Sequence, residues 1–305
     1  DPVIIYAGRD ITGNFSLTKP AEIEAGRDIV NTTITGQNNA LTDVTSVIAG
    51  RDILAVTTPG NYGQLNNNTT TITLYGPGDL LVVAGRNLGP FTTYGDGTIK
   101  QAGAAFGGGI LAVGDGSNSS CGSSCAIPYL PHAGADITTL FGVGPGIDYA
   151  DAINAYVDPA NAGTSGINLL TDIAGILGQT PAQAWASFQK LSPQRQQLLV
   201  DHAFLDALTA VGVGYNDPAS SYYQHYAPAY DMIATLFPAS LGYTNNKTGG
   251  ANGAATMVHT GDLRMAFSRI ETQTGGDINI LGPGGSIYVG TNSSDQLLPS
   301  QEGIL

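Results

Sequence analysis

Ala7-Gly8-Arg9-Asp10-Ile11 returns as Ala25-Gly26-Arg27-Asp28-Ile29 and as Ala49-Gly50-Arg51-Asp52-Ile53. It returns once more, with an amide for the carboxylate, as Ala84-Gly85-Arg86-Asn87-Leu88. The spacings are 18, 24 and 35 residues, so the turn is fixed while the loops between turns vary. Each copy follows a short β-prone run, such as Val3-Ile4-Ile5-Tyr6, Ala21-Glu22-Ile23-Glu24 or Leu80-Leu81-Val82-Val83. Glycine suits a sharp corner, the next Asp or Asn can cap the turn's amides, and Ala and Ile are small and large fillers of a narrow interior. Stacking buries what no single unit can bury. A unit of about 20 residues with strands of about 3–5 has the dimensions of a parallel β-helix coil. The expected fold is therefore mainly β: a right-handed parallel β-helix, or solenoid, over residues 1–145, with Ile11, Ile29, Ile53 and Leu88 inward. The repeated Arg reads as a solvated outward side chain. Like charges stacked at roughly 4.8 Å repel, and the adjacent Asp offsets this. A shorter Gly-Asp-Ile/Leu echo stands at Gly78-Asp79-Leu80, Gly261-Asp262-Leu263 and Gly276-Asp277-Ile278.

From about residue 146 to 240 the texture becomes helical, which predicts an α-helical insertion in the β-helix. Ile167–Leu177 reads as a short apolar helix ended by Gly178, and Thr180-Pro181-Ala182-Gln183 as a capping box opening a helix through Trp185 and Phe188. Ser192-Pro193 starts the next, with an apolar stripe through Leu198, Leu199, Phe204, Leu205, Leu208 and Val211 and a stop at Gly212. Asp217-Pro218 and Ala227-Pro228 open two more, the last ending at Phe237-Pro238. Tyr222, Tyr223, Tyr226 and Tyr230 form the most aromatic stretch and the candidate recognition surface, because tyrosine is favoured at interfaces. Packing among helices is the competing role.

Residues 241–305 read as a polar linker, Asn245–Asn252, followed by returning β-helix coils. There, Ser268-Arg269-Ile270-Glu271-Thr272-Gln273-Thr274-Gly275-Gly276-Asp277-Ile278-Asn279-Ile280-Leu281-Gly282-Pro283-Gly284-Gly285-Ser286-Ile287-Tyr288-Val289-Gly290 alternates cleanly between glycine corners. The ordered Ala-Gly-Arg-Asp-Ile words resemble those of filamentous-haemagglutinin-type exoproteins of two-partner secretion systems. The Ser268–Gly290 stretch resembles a C-terminal module, without an assigned activity, of one group of these proteins. The resemblance covers both β-repeat regions and the helical insert more loosely. It implies a β-helical rod, export through an outer-membrane Omp85-type transporter, and adhesion or contact with a receptor, glycan or matrix component. The family's N-terminal secretion domain is not visible, so the chain reads as a downstream segment.

Composition narrows the field. Lys+Arg total 11 against 24 Asp+Glu, a net charge of -13, and this excludes a nucleic-acid binder and an anionic-membrane binder. Only 11% of residues are charged, yet 42% are hydrophobic and patterned, which excludes disorder. No apolar run is long enough for a spanning helix. The opening residues Asp1–Asp10 lack the basic and apolar regions of a signal peptide.

Cys121 and Cys125 are the two cysteines, set in a Ser/Gly loop. They read as a local disulfide of an oxidising compartment that shapes the loop more than it stabilises the fold. With His132, His202, His225 and His259 scattered, neither a metal site nor a cofactor is expected. Asp201-His202 reads as a helical surface pair. Tyr94-Gly95-Asp96-Gly97 and Gly114-Asp115-Gly116 lack the nonapeptide pattern of a dedicated calcium site. No catalytic signature is present, so no enzyme is expected. The alternatives are a polysaccharide hydrolase or lyase, for which Asp115, Asp136, Asp148 and Asp151 are the available carboxylates, and the carrier stalk of a contact-dependent toxin. The principal expectation is a structural and adhesive segment of a secreted or surface-exposed bacterial exoprotein.

Overall fold

A computed structural model describes residues 1–60, 65–66, 68–93, 107–117, 122–246, 256–258, 261–289 and 303–304. Two compact units share the chain: Asp1–Gly144 with His259–Leu305, and Pro145–Val258.

In the first unit, β1 (Val3–Ala7), β2 (Asp10–Ser16), β3 (Ala21–Ala25), β4 (Asp28–Gln37), β5 (Val44–Ala49) and β6 (Asp52–Leu54) go alternately to two parallel sheets. The first sheet runs β1-β3-β5 and continues through Asp79–Ala84, Asp136–Phe141 and Ile278–Leu281. The second runs β2-β4 and continues through Thr71–Tyr75, Gly109–Ala112, Arg269–Thr272 and Gly303–Ile304, with β6 also paired to β4. The expected mainly β, right-handed β-helix is corrected by this arrangement. The parallel sheets lie side by side and helices accompany them in the second unit, an α/β architecture. The physical reason lies in what the repeat encodes. A five-residue word fixes where one strand turns into the next, but not how the chain returns across intervals of 18 to 35 residues.

The word is the corner between the sheets. Its Ala ends a first-sheet strand, Gly-Arg makes the bend, and Asp starts a second-sheet strand. Equivalent residues form columns in register. Ala7, Ala25, Ala49 and Ala84 stand side by side, followed by Phe141. Ile11, Ile29, Ile53, Leu88 and Leu263 form the large-residue column. All five are buried, and each contributes about 1.5–3 kcal/mol by leaving water. The glycines allow this close stacking. A Cβ on Gly26, Gly50 or Gly85 would lie 2.1–2.5 Å from the carbonyl oxygen of the preceding corner's glycine. The Gly-Asp echo at Gly78 and Gly276 marks a different corner, entry into the first sheet, where Asp79 and Asp277 precede Leu80 and Ile278.

The repeated charges do more than neutralise a neighbour. Arg27 donates from Nε to Asp10 Oδ1 (2.7 Å) and Arg86 from Nε to Asp52 Oδ1 (2.9 Å), each with a second bond from Nη2 to Oδ2. Arg51 holds Asp28 in the same two-pronged way. Each guanidinium thus reaches back to the preceding corner, and Arg27 and Arg51 also stay near the Asp that follows them, a ladder of charge-assisted bonds. Asp28 and Asp52 are buried. Burial pushes the Asp52 carboxyl up, but the Arg86 bonds, the Asn87 N–H and the guanidiniums outweigh it, leaving it below the usual range. At the next corner Gly261 stands beside Arg86 where the word has its arginine, and the corner before it carries Asn87 in place of Asp. Asn87 Oδ1 instead accepts the Asp262 N–H at 3.1 Å.

The second unit is helical: α1 (Tyr149–Ala152) running into a π turn (Ile153–Val157), α2 (Leu169–Ile176), α3 (Pro181–Phe188), α4 (Pro193–Gly214) and α5 (Ala227–Leu236). Asn168 caps α2, and Ser192 caps α4. At α3, Gln183 Oε1 accepts from the Thr180 N–H and hydroxyl. Two expectations are corrected. α4 continues through Gly212 to Gly214, because Val211 packs in the core and holds the helix past the weak residue. Asp217-Pro218 starts a run of turns rather than a helix. Phe204, Phe237 and Tyr243 form an edge-on aromatic core, and Tyr243 Oη donates to the Gly146 carbonyl (2.7 Å). Among the described residues, no helix is long and apolar enough to cross a membrane.

Candidate functional site

The tyrosines of the candidate surface lie along one loop of the helical unit and the start of α5. α4 ends at Tyr215, the chain turns through Asp217–His225, and α5 starts after Tyr226. Gln224 takes a left-handed φ of 52°, and its N–H bonds the Tyr215 carbonyl at 3.0 Å. A non-glycine residue in that region costs about 1–2 kcal/mol and persists where surrounding contacts hold it. The reversal lays Tyr226 on Tyr215, with centroids 4.4 Å apart and planes 20° apart, and sets Tyr230 6.0 Å beyond. Tyr223, Tyr226 and Tyr230 keep 44%, 37% and 38% of their surface exposed, enough for ring faces to meet a ligand. Tyr222 has a different job: its hydroxyl donates to the Gly166 carbonyl (2.8 Å) and ties the loop down. Tyr215 was not legible as part of the patch, because it sits alone at the end of α4 and reaches the cluster only through the loop closure. Trp185 stacks on Phe188, a buried core residue of the same helix.

The carboxylates available for hydrolysis have separate structural tasks. Asp148 caps α1 by accepting the Asp151 N–H, and Asp151 lies in that helix's first turn. Asp136 starts a strand and accepts the Asp277 N–H (2.8 Å). Asp115 joins Ser117 and His132 in a cluster whose composition suggests nucleophilic catalysis, but whose wiring differs. Ser117 Oγ donates to Asp115 (2.5 Å) and lies 3.1 Å from His132 Nδ1, the same nitrogen that Asp115 approaches at 3.4 Å. A relay needs the histidine between the other two, one ring nitrogen to each. Here serine and carboxylate bond directly, and the Ser117 hydroxyl and N–H hold the Asp115 carboxyl below its usual range against burial, as an Asx turn does.

Asp201-His202 is corrected from a surface pair. Asp201 is buried, and both its oxygens accept from the Tyr149 hydroxyl at 3.0 and 2.9 Å. Burial pushes its carboxyl up to about 7 despite that bond. The same burial, with the adjacent Asp201 charge, pushes Tyr149 well above the usual phenol range. His202 instead faces Asp206 across one helical turn, 3.7 Å away.

Cys125 ends a short 3-10 turn, Ser123–Cys125. Its expected partner Cys121 lies outside the described residues, as does Tyr94-Gly95-Asp96-Gly97. Among the described residues, no group of three His, Cys, Asp or Glu side chains could hold a metal ion.

No family model, curated protein or solved structure matches this chain.

Proposed function

We propose that this chain is a structural and adhesive segment of a secreted or surface-exposed bacterial exoprotein, and that its helical unit contacts a host cell, another cell or matrix through the tyrosine loop. The observation that carries the reading is the Tyr215–Tyr226–Tyr230 stack, held by a strained Gln224 and left with exposed ring faces. Rigid, partly exposed aromatic faces suit the planar apolar faces of sugars and the flat surfaces of proteins, and aromatic anchors dominate binding energy at interfaces. The acidic, lysine-poor composition and the ordered Ala-Gly-Arg-Asp words support the exoprotein side of the reading. So does their resemblance to two-partner secretion proteins, which brings an outer-membrane Omp85-type transporter as the export partner.

The test is adhesion to cells and to a glycan array by the chain carrying Tyr223→Ser and Tyr226→Ser. Tyr222 is left in place because it secures the loop. Loss of about 2 kcal/mol, roughly thirtyfold in affinity, is the expected result for removal of an anchor. Undiminished adhesion by a folded double variant would refute the reading.

A further inference from the structure

The tyrosine stack holds two phenols in a geometry suited to a covalent reaction. Tyr215 and Tyr226 lie with centroids 4.4 Å apart and planes 20° from parallel, and Tyr230 follows Tyr226 at 6.0 Å and 43°. A phenol that loses one electron and its proton becomes a phenoxyl radical. The unpaired electron is then shared between the oxygen and the ring carbons beside the hydroxyl. Two such radicals join carbon to carbon where those positions meet, and rings stacked this closely set carbons of one phenol against those of the other. The backbone keeps them together: α4 runs to Gly214, Tyr226 directly precedes α5, and the Gln224 N–H bonds the Tyr215 carbonyl at 3.0 Å. Two reactants held this way couple in a unimolecular step, at an effective concentration far above that of any second molecule. Tyr226 and Tyr230 are exposed enough for an oxidant to reach them. Tyr6 and Tyr129 are more exposed, at 67% and 71%, but among the described residues neither stacks on another ring.

We propose that Tyr215 and Tyr226 are an oxidative cross-linking site, coupled by a haem peroxidase and hydrogen peroxide into a dityrosine that ties the end of α4 to the start of α5. Each phenol gives up one electron and one proton. The two radicals form one carbon–carbon bond beside the hydroxyls. The hydrogen on each bonded carbon then leaves as a proton, a proton returns to each ring oxygen, and both rings are aromatic again. The peroxide takes up the two electrons and two protons, its O–O bond breaks, and two waters result. The product joins the rings edge to edge, so one ring turns out of the stack, and the open side of Tyr226 leaves room for that turn. The new bond closes Asn216–His225 into a covalent loop, so that backbone cleavage within it no longer separates the two helices. The site stands on the ring geometry and does not depend on adhesion.

The test treats the full chain, kept dilute, with a haem peroxidase and hydrogen peroxide, then digests it and maps the peptides by mass spectrometry. The expected product is monomeric and shows dityrosine fluorescence. After cleavage within Asn216–His225 it yields two peptides joined at Tyr215 and Tyr226, lighter than the separate pair by two hydrogens. Tyr215→Phe keeps a ring in the stack but cannot form the radical, and should abolish the joined pair; Tyr226→Phe should do so independently. Trp185 fluorescence through urea unfolding checks that each variant's helical unit is folded. Tyr6→Phe with Tyr129→Phe should leave the yield of the joined pair unchanged. Covalent dimers linked through Tyr6 or Tyr129 in place of that pair would overturn the proposal, because exposure and not stacking would then direct the coupling. So would equal dityrosine fluorescence from a folded Tyr215→Phe chain, which would assign the bond to other tyrosines.

Discussion

Asp201→Asn should make the helical unit more stable at pH 8 and flatten its response to pH. The carboxyl is fully enclosed, faces a tyrosine hydroxyl rather than a cation, and is pushed from its ordinary 3.8 to about 7 by burial. A raised carboxyl pKa means that the folded state holds its proton more tightly than the unfolded state does. The stabilisation is therefore fully present below the unfolded value and is lost as pH rises towards and through the folded value. Between about pH 4 and 7 the unit should lose on the order of 1.4 kcal/mol per pH unit, on the order of 4 kcal/mol in all. The lowered carboxyls Asp10, Asp52, Asp115 and Asp262 run the other way, losing stability only as pH falls below the ordinary carboxylate range. They belong to the sheet unit. Trp185, the only tryptophan, stands in α3 and reports the helical unit by fluorescence. Urea unfolding followed at that wavelength, at pH 5.5 and 8, should show a clear fall for the natural chain and a small one for Asp201→Asn. Equal midpoints for the natural chain at both pH values, or the same fall in the variant, would refute the reasoning.

Tyr149→Phe should move the midpoint of this pH effect higher, because the hydroxyl that favours the ionised Asp201 is gone; the same fluorescence titration reads it. Ile53→Ala, at the centre of the large-residue column, should cost about 2–5 kcal/mol in chemical unfolding of the sheet unit. Gly50→Ala should cost roughly 1–3 kcal/mol, because the new Cβ would lie 2.5 Å from the Gly26 carbonyl oxygen and force the corner apart, while Gly8→Ala should leave the unfolding midpoint nearly unchanged. Asp52→Ala should destabilise by roughly 1–3 kcal/mol at pH 7 and reduce sensitivity to acid, since its contribution is present above the ordinary carboxylate range and lost below it. Non-reducing peptide mapping should show Cys121 joined to Cys125, and two free thiols in secreted protein would contradict that pairing.

The sequence by itself determined the corners and the starts of two helices. Ala-Gly-Arg-Asp marks each turn because only glycine lets backbones stack within 2.1–2.5 Å of where a Cβ would sit. Thr180 and Ser192 mark helix starts because their side chains satisfy local amides or receive a reciprocal partner. These are short-range effects, and a five-residue word carries them. Tertiary structure alone decided the partners. The two-sheet arrangement depends on how strands of uneven spacing return into register. Arg51 reaches Asp28 across 23 residues, a pairing that the adjacent Asp52 obscured. Tyr149 finds Asp201 across 52 residues and turns an apparent surface pair into a buried titrating one. Tyr215 joins the aromatic patch only because Gln224 reverses the loop. Burial and charge pairing act across the folded interior, over distances that no local word encodes.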